Sequence, residues 1–371
     1  MTRISFIMIT ARTDHLYNKR PDLHLFEPTL QSFKMQTMLD FEWVIVDALY
    51  EQRKDYFSKL KLPFKVKHVP ALPNLWIEKG LPGIAGQFNK GIIYADGQLL
   101  FFVGDGFMLQ PSFTEQLWKY YTEGYFPFAW YFYDLTYDMV PSGTITQGSP
   151  GTILEPAPRT YNIAGYSGKK VEVDFRYIEA FQGKDREVYP AGWNWWYGSS
   201  TASLEAMLKI NGFNQNFDGD KALSDCDVGS RLELAGYGMR FALFKDLYMI
   251  RAPAKREWNP SFDFTKSIKC NYALIWHSRF SKQYEANKHV LTEQDIAWIK
   301  EYYCPEKCTG REYCQKEHVW QYPFEHKAGY GHNSSKRLFN FWKKHQMFIS
   351  LTDEREKRLS ENKKYTEGTF V

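Results

Sequence analysis

Short apolar runs separated by polar punctuation organise the first hundred or so residues of the chain. Ile4-Ser-Phe-Ile-Met-Ile-Thr10 is β-rich and nearly continuous, the pattern of a buried strand. Pro28 followed by Leu30, Phe33 and Met35 predicts a helix starting near Glu27, with proline in its first turn. Glu42-Trp-Val-Ile-Val-Asp47 reads as a second strand ending on a carboxylate, and Phe64 to Val69 as a shorter third. Ile84, Phe88, Ile92 and Ala95 then recur at helical spacing until Asp96-Gly97 stops them. Leu99-Leu-Phe-Phe-Val103 is a fourth strand, running into Gly104-Asp105-Gly106. Strands alternating with helices imply parallel pairing through crossover helices. The expected class is α/β, with ligands at the carboxyl ends of the strands.

Farther along, eleven of the twenty residues from Trp118 to Tyr137 are aromatic. Pro141 to Ser167 is rich in Gly, Pro, Ser and Thr and reads as a long surface loop or lid. Pattern returns at Val171 to Phe181. Ser203 to Ile210 and Asp225 to Ala235 read as helices, ended by Asn211-Gly212 and Gly236, and Met239 to Phe244 as a strand. Beyond Asn259 the pattern weakens, and no internal repeat is present. The expected organisation is a main domain over 1–258, divided at about residue 110 into an α/β half and a second half. A C-terminal extension over 259–335 and a basic helical or mobile tail over 336–371 follow.

Composition narrows the class. Of 371 residues 44% are apolar and 24% charged, which excludes a disordered, collagen-like or disulfide-scaffold chain. The aromatic share of 18% fits rings lining a sugar or base site and equally fits a stiff aromatic core. The net charge of +4 resides in Lys336–Val371, where nine Lys/Arg face five Asp/Glu. That tail is either a solvated amphipathic segment or a contact for anionic membrane or nucleic acid. The longest uncharged run, Val188 to Leu204, is no apolar helix, and Ile4 to Ala11 lacks a cleavage-site pattern. Five cysteines suit a reducing compartment. The expectation is a cytoplasmic protein without an integral membrane segment, peripheral membrane contact remaining an option.

Carboxylates mark the candidate chemistry. Asp47 and Asp105 end two strands of one parallel sheet, where they would share a rim and hold a ribose, a base or a cation against a diphosphate. The turn-former and cap reading stands beside this for either residue alone. Asp225 and Asp227 stand at the mouth of a helix. Asp227 is placed to hold Arg231 four residues on, leaving Asp225 as the better general base. Trp193, Trp195 and Trp196 are candidates to stack on a sugar ring, with core packing expected for two of the three. His277, in Ile275-Trp-His-Ser-Arg279, is a metal or diphosphate ligand or a satisfied structural residue. Cys304, Cys308, Cys314 and His318 have the donors of a tetrahedral structural zinc site, against free thiols or a disulfide.

Six fragments, in order, resemble a family 2 glycosyltransferase of the GT-A fold over about residues 3 to 245. They are the Thr10-Ala-Arg12 turn, Gln36-Thr37 with Glu42–Asp47, and Gly86-Gln-Phe-Asn89-Lys-Gly91 with Ala95-Asp-Gly97. Leu100 to Gly106 with Pro111 follows, then Gly198 with Asn211-Gly-Phe213, and finally Ser224-Asp225-Cys-Asp227-Val-Gly-Ser-Arg231. The resemblance implies a Rossmann-like mixed sheet flanked by helices and an inverting transfer of sugar from a nucleoside-diphosphate sugar, a UDP-sugar favoured. The acceptor would be a hydroxyl of a glycan or other molecule. It assigns Thr10, Arg12, Asp47, Gln87, Asn89, Gly104 and Asp105 to the nucleotide sugar and Asp105 with His277 to a manganese or magnesium ion. Asp225 becomes the base, and Trp195, Trp196, Gly198 and Asp227 face the acceptor or sugar. The chain departs from the pattern where Asp-x-Asp is reduced to Asp105 between glycines, where Ser224 replaces Glu, and where Phe88 replaces a common Arg. These departures keep open a non-catalytic nucleotide- or glycan-binding module. The basic tail keeps open a glycosyltransferase acting on nucleic acid.

Overall fold

The computed structural model describes residues 2–11, 26–71, 83–134, 151–154, 171–218, 223–251, 274–275, 277–288, 292–295 and 349–361. The first sheet is built from β1 (Ile4–Thr10), β2 (Phe41–Asp47), β3 (Lys65–Pro70) and β4 (Leu99–Val103), all mutually parallel where they pair. A short antiparallel strand, Thr201–Ser203, closes the β4 edge. The order across this sheet is Thr201–Ser203, β4, β1, β2, β3. Apolar side chains on both faces explain the continuous runs, since helices cover a parallel sheet on each side. Helix Glu27–Lys34, with proline in its first turn, lies against one face. Helix Ile84–Tyr94 lies against the other, where Gly91 lets it approach Ile7 and Val46.

The second sheet is mixed. It comprises β5 (Phe107–Leu109), β6 (Phe126–Asp134), β7 (Gly151–Leu154), β8 (Val171–Asp174), β9 (Val188–Pro190) and β11 (Phe241–Arg251), the Thr201–Ser203 strand of the first sheet being β10. Its order is β5-β11-β6-β8-β7, with β9 also paired to β11. β11 runs parallel to β6 and antiparallel to β5 and β9. Backbone bonds from Ala129 N–H to the Ser199 carbonyl (3.0 Å) and from Ser199 N–H to the Phe102 carbonyl (2.9 Å) couple the two sheets.

Two expectations are corrected. The stretch read as a loop over Pro141 to Ser167 contains β7, which pairs with β8 through Thr152 and Ile153. The strand read over Met239 to Phe244 continues to Arg251. Lys245 and Asp246 interrupt its apolar pattern at a register shift between Leu243 and Tyr248. A bulge frees ladder groups that need other partners. The Trp130 indole N–H donates to the Lys245 carbonyl at 2.9 Å, and the Tyr120 hydroxyl donates to the Asp246 carboxylate at 2.7 Å.

The aromatic share is largely core. Phe6 lies 4.9 Å from Phe33 and 5.4 Å from Phe41 and Phe101, between ring centroids. Each such buried ring contributes about 1.5–3 kcal/mol through removal from water.

Part of the basic tail is structural. Helix Leu351–Ser360 docks on the C-terminal end of helix Ile84–Tyr94. There Arg355 donates to the Ile93 carbonyl at 3.2 Å and to the Ala95 carbonyl, and Arg358 donates to Asp96 at 2.9 Å. Lys67 pairs with Asp96 at 2.5 Å and with buried Glu42 at 2.6 Å, extending the network to the foot of the sheet. Among the described residues no helix is long and apolar enough to cross a membrane.

Candidate active site

The carboxyl ends of β1, β2 and β4 form one rim. Thr10 and Asp47 are paired across β1 and β2. Asp105 follows β4 directly, half-buried, and its Oδ2 accepts a hydrogen bond from the Thr10 hydroxyl at 3.2 Å. The structure therefore brings Thr10, Gly104 and Asp105 together on that rim.

Asp47 has a different place from the one expected. Its carboxylate is fully buried and accepts from Arg53 Nη1 at 3.1 Å on both oxygens and from Leu49 N–H at 2.8 Å, with His68 Nε2 3.0 Å away. A carboxylate has about four lone-pair positions, and these partners occupy them. Asp47 can reach a base only by releasing one. Its placed role is to brace the rim from beneath.

Asn89 is also internal. Its Oδ1 accepts from Phe213 N–H at 2.7 Å and its Nδ2 donates to the Phe213 carbonyl at 2.8 Å, clamping helix Ile84–Tyr94 to the Asn211-Gly-Phe turn. Gly212 holds a φ of +71° there, a backbone region that disfavours side chains. Gln87 lies buried on the same helix. The Asp218 carboxylate caps that helix, accepting from Ala85 N–H at 2.7 Å and Gly86 N–H at 2.9 Å. The positive end of this helix already holds an anion. Lys90, buried one turn further on, has its pKa lowered to about 8 by burial.

The second group of carboxylates sits on helix Ser224–Leu234. Leu223 precedes it at a φ of +69°, a strained geometry for a branched side chain, and sets the direction of the first turn. Asp225 is half-buried, and its Oδ1 accepts from Cys226 N–H at 2.9 Å. Asp227 is fully buried, accepting from Arg231 Nε at 2.7 Å, and Ser278 Oγ lies 3.4 Å from its other oxygen. Burial pushes Asp227 upward against the opposing pull of Arg231. Of the two, Asp225 has the accessible carboxylate.

The loop 192–200 joins the two groups. Gly229 allows the helix to press onto it: a Cβ at that position would lie 2.2 Å from the Trp193 carbonyl oxygen. Trp195 and Trp196, named as sugar contacts, are instead the two of the three tryptophans that pack in the core, at 7% and 1% exposure, Trp195 stacked on Tyr189 at 4.8 Å. Trp193 is half-buried and carries the Arg279 guanidinium 4.6 Å from its ring, while Gly198 is exposed.

A brace beneath this loop was missed in the sequence. Arg176, fully buried, donates to Asp174 at 2.8 Å, to the Trp195 carbonyl at 3.0 Å, to the Ala129 carbonyl at 2.9 Å and to Ser199 Oγ at 2.8 Å. Tyr197 donates to the other Asp174 oxygen at 2.8 Å, and its ring lies 4.0 Å from the guanidinium. Burial lowers the Arg176 pKa, but Asp174 more than reverses it, and burial raises that of Tyr197. Two charges only two positions apart in an aromatic stretch were the available signal.

The donor set for a cation is small. Among the described residues no three His, Cys, Asp or Glu side chains converge. His277 Nε2 lies 2.9 Å from Asp295, and His277 borders a small polar pocket with Arg231, Asn214 and Asn287. Among the described residues of the rim, the half-buried Asp105 could share a cation with a bound phosphate group, since magnesium-type ions are commonly held by one or two carboxylates plus phosphate oxygens. Arg12 and the zinc candidates Cys304, Cys308, Cys314 and His318 lie outside the described residues.

No family model matches the chain, and no curated protein sequence does. Similar solved structures include S. aureus TarS, at 12% identity and a TM-score of 0.42 over 86% of this chain and 46% of that one. A TarS 1–349 complex with UDP-GlcNAc has 12% identity and a TM-score of 0.43, over 81% and 71%. GalNAc-T7 with UDP, GalNAc and Mn2+ has 12% identity and a TM-score of 0.48, over 81% and 56%. The chain thus spans about half the length of TarS and of GalNAc-T7.

Proposed function

We propose that the chain is an inverting glycosyltransferase moving a sugar from a nucleoside-diphosphate sugar, a UDP-sugar favoured, to a hydroxyl of a glycan or other acceptor. The observation that carries this reading is the Thr10–Asp105 pair on the carboxyl rim of a parallel sheet. The half-buried Asp225 complements it at a helix mouth packed on the adjoining loop. The acceptor oxygen bonds to the anomeric carbon as its proton passes to the Asp225 carboxylate. The bond from that carbon to the diphosphate breaks, and its electron pair leaves with the phosphate. A manganese or magnesium ion held by Asp105 would, when bound, offset charge on the departing diphosphate. Thr10, Arg12, Gln87 and Gly104 belong to the donor side in this reading, and Trp193 and Gly198 to the acceptor side. Asp47, Asn89, Trp195, Trp196 and Asp227 hold these residues in place. The engagement of Arg355 and Arg358 within the fold gives no support to nucleic acid as acceptor.

The test is thermal unfolding against UDP, GDP, dTDP and CMP, each with manganese, magnesium or chelator. A ligand at ~100 times its dissociation constant adds about 2.7 kcal/mol, which moves the midpoint measurably. UDP should raise it, less so in chelator or in Asp105→Ala. Asp225→Asn should keep the shift and lose about 10²–10⁴-fold in transfer. No shift with any nucleotide overturns the donor site. A shift without transfer or donor hydrolysis by the unsubstituted chain would leave a binding module instead.

A further inference from the structure

A donor site on this rim needs positive charge for two phosphates, and two places among the described residues where it was looked for do not supply it. Phe88, where an arginine was looked for, turns inward and stacks on Phe213 at 4.8 Å. The N-terminus of helix Ile84–Tyr94 is closed by Asp218. Asp105 brings one carboxylate, and with it at most part of the charge of a shared cation.

We propose that Arg251 grips the diphosphate of the nucleotide-sugar donor, an assignment that rests on the glycosyltransferase reading. Arg251 is the last residue of β11 and pairs across the ladder with Phe107, two positions beyond Asp105. It is half-buried, and its guanidinium lies 5.2 Å from the Phe107 ring centroid and 5.6 Å from that of Tyr131. The Phe107 ring in turn rests against the Gly104 backbone, since a Cβ on Gly104 would come within 2.8 Å of it. The guanidinium and the Gly104-Asp105 turn therefore both lie against the Phe107 ring. Two rings hold the guanidinium in a restricted orientation, so little side-chain freedom remains to be lost when an anion binds. A guanidinium presents parallel N–H donors that match two phosphate oxygens, and it remains charged at any physiological pH. The arrangement puts a carboxylate for a cation and a guanidinium held by two rings around the same Phe107 side chain.

The full chain and Arg251→Gln are compared by calorimetric titration with UDP, GDP and dTDP and with uridine, guanosine and thymidine. A charged hydrogen-bonding contact of this kind is worth about 10- to 100-fold in affinity. Arg251→Gln should weaken the preferred nucleoside diphosphate by that factor and leave its nucleoside unchanged. Equal weakening of both would mean that Arg251 only supports the rim, and undiminished diphosphate binding would exclude it from the site; either result overturns the assignment. If Arg251→Gln fails to fold, Arg251→Lys keeps stem and charge and should lose about 3- to 10-fold on the diphosphate alone; wild-type affinity there overturns the assignment too. Failure of the unsubstituted chain to bind any of the three diphosphates overturns the donor-site reading, and this one with it.

Discussion

Gly229→Ala sets two physical effects against each other. Alanine in a helix interior is favoured over glycine by about 1 kcal/mol, so propensity alone predicts a more stable protein. The structure predicts the reverse. The added Cβ would lie 2.2 Å from the Trp193 carbonyl oxygen and 2.6 Å from the Trp196 Cβ. Non-bonded heavy atoms rest at about 3.5–4.0 Å, so helix Ser224–Leu234 and the turn beneath it must part by roughly 1 Å. Overpacking of this kind costs about 1–3 kcal/mol; two contacts this short put it at about 2–3 kcal/mol, of which about 1–2 kcal/mol remains after the propensity gain. The opposing atoms are a backbone carbonyl and a buried tryptophan, neither of which can swing aside. Net destabilisation of about 1–2 kcal/mol should lower the thermal midpoint by about 1–3 °C in a chain of 371 residues. Because the same helix carries Asp225, a shift near 1 Å should also cost about 10²-fold in transfer with UDP affinity nearly unchanged. Differential scanning calorimetry and a donor-consumption assay read the two effects separately. A Gly229→Ala protein that melts at or above the parent's temperature would refute the close packing and the coupling drawn from it.

Lys90 is buried and its folded pKa lies near 8, below the model-peptide 10.5, so the unfolded chain binds more protons between those values and stability attributable to this group rises with pH across that window. Lys90→Met should therefore stabilise at pH 7 and lose that advantage by about pH 10.5, read from urea midpoints of the two proteins; a destabilised Lys90→Met at neutral pH contradicts this. For Asp96 burial alone would raise the pKa, but Lys67, Arg358 and Arg355 outweigh it and hold it below 3.8. Its stabilising contribution is present above that value and is lost as pH falls through the lower folded pKa, so acid should loosen helix Leu351–Ser360 in the parent, while Asp96→Asn is already loosened at neutral pH; hydrogen exchange of the helix amides shows either result. Arg176→Met leaves Asp174 buried without its charge partner and should cost about 3–5 kcal/mol, with chemical denaturation as the check and a loss under 1 kcal/mol as the contrary outcome.

The parallel sheet was legible because its strands are buried on both faces and therefore spell continuous apolar runs, as in Ile4–Thr10 and Leu99–Val103. The pattern failed where polar residues sit inside a strand. Lys245 and Asp246 hid the second half of β11 because a bulge turns them toward partners on other elements. Gly151–Leu154 was lost among glycines and prolines, whose local signal outweighed four residues of β pattern. Aspartates could be found in sequence, but their partners could not. Nothing local tells that Asp47 faces Arg53 and His68, whereas Asp227 meets Arg231 at a spacing the helix itself imposes. Arg251 went unremarked for the same reason, since only the β5–β11 register sets it opposite Phe107, two positions beyond Asp105.

The docking of helix Leu351–Ser360 also fixes a schedule for synthesis. Arg355 reaches back 262 residues to the Ile93 carbonyl. At translation rates of about 5–20 residues per second, the ribosome needs roughly 13–50 s to make the intervening chain. During that interval the first sheet can assemble, but the end of helix Ile84–Tyr94 and the Asp96–Lys67 pair lack their arginines. The nascent protein therefore passes through an age at which its first sheet is formed and its last brace is not.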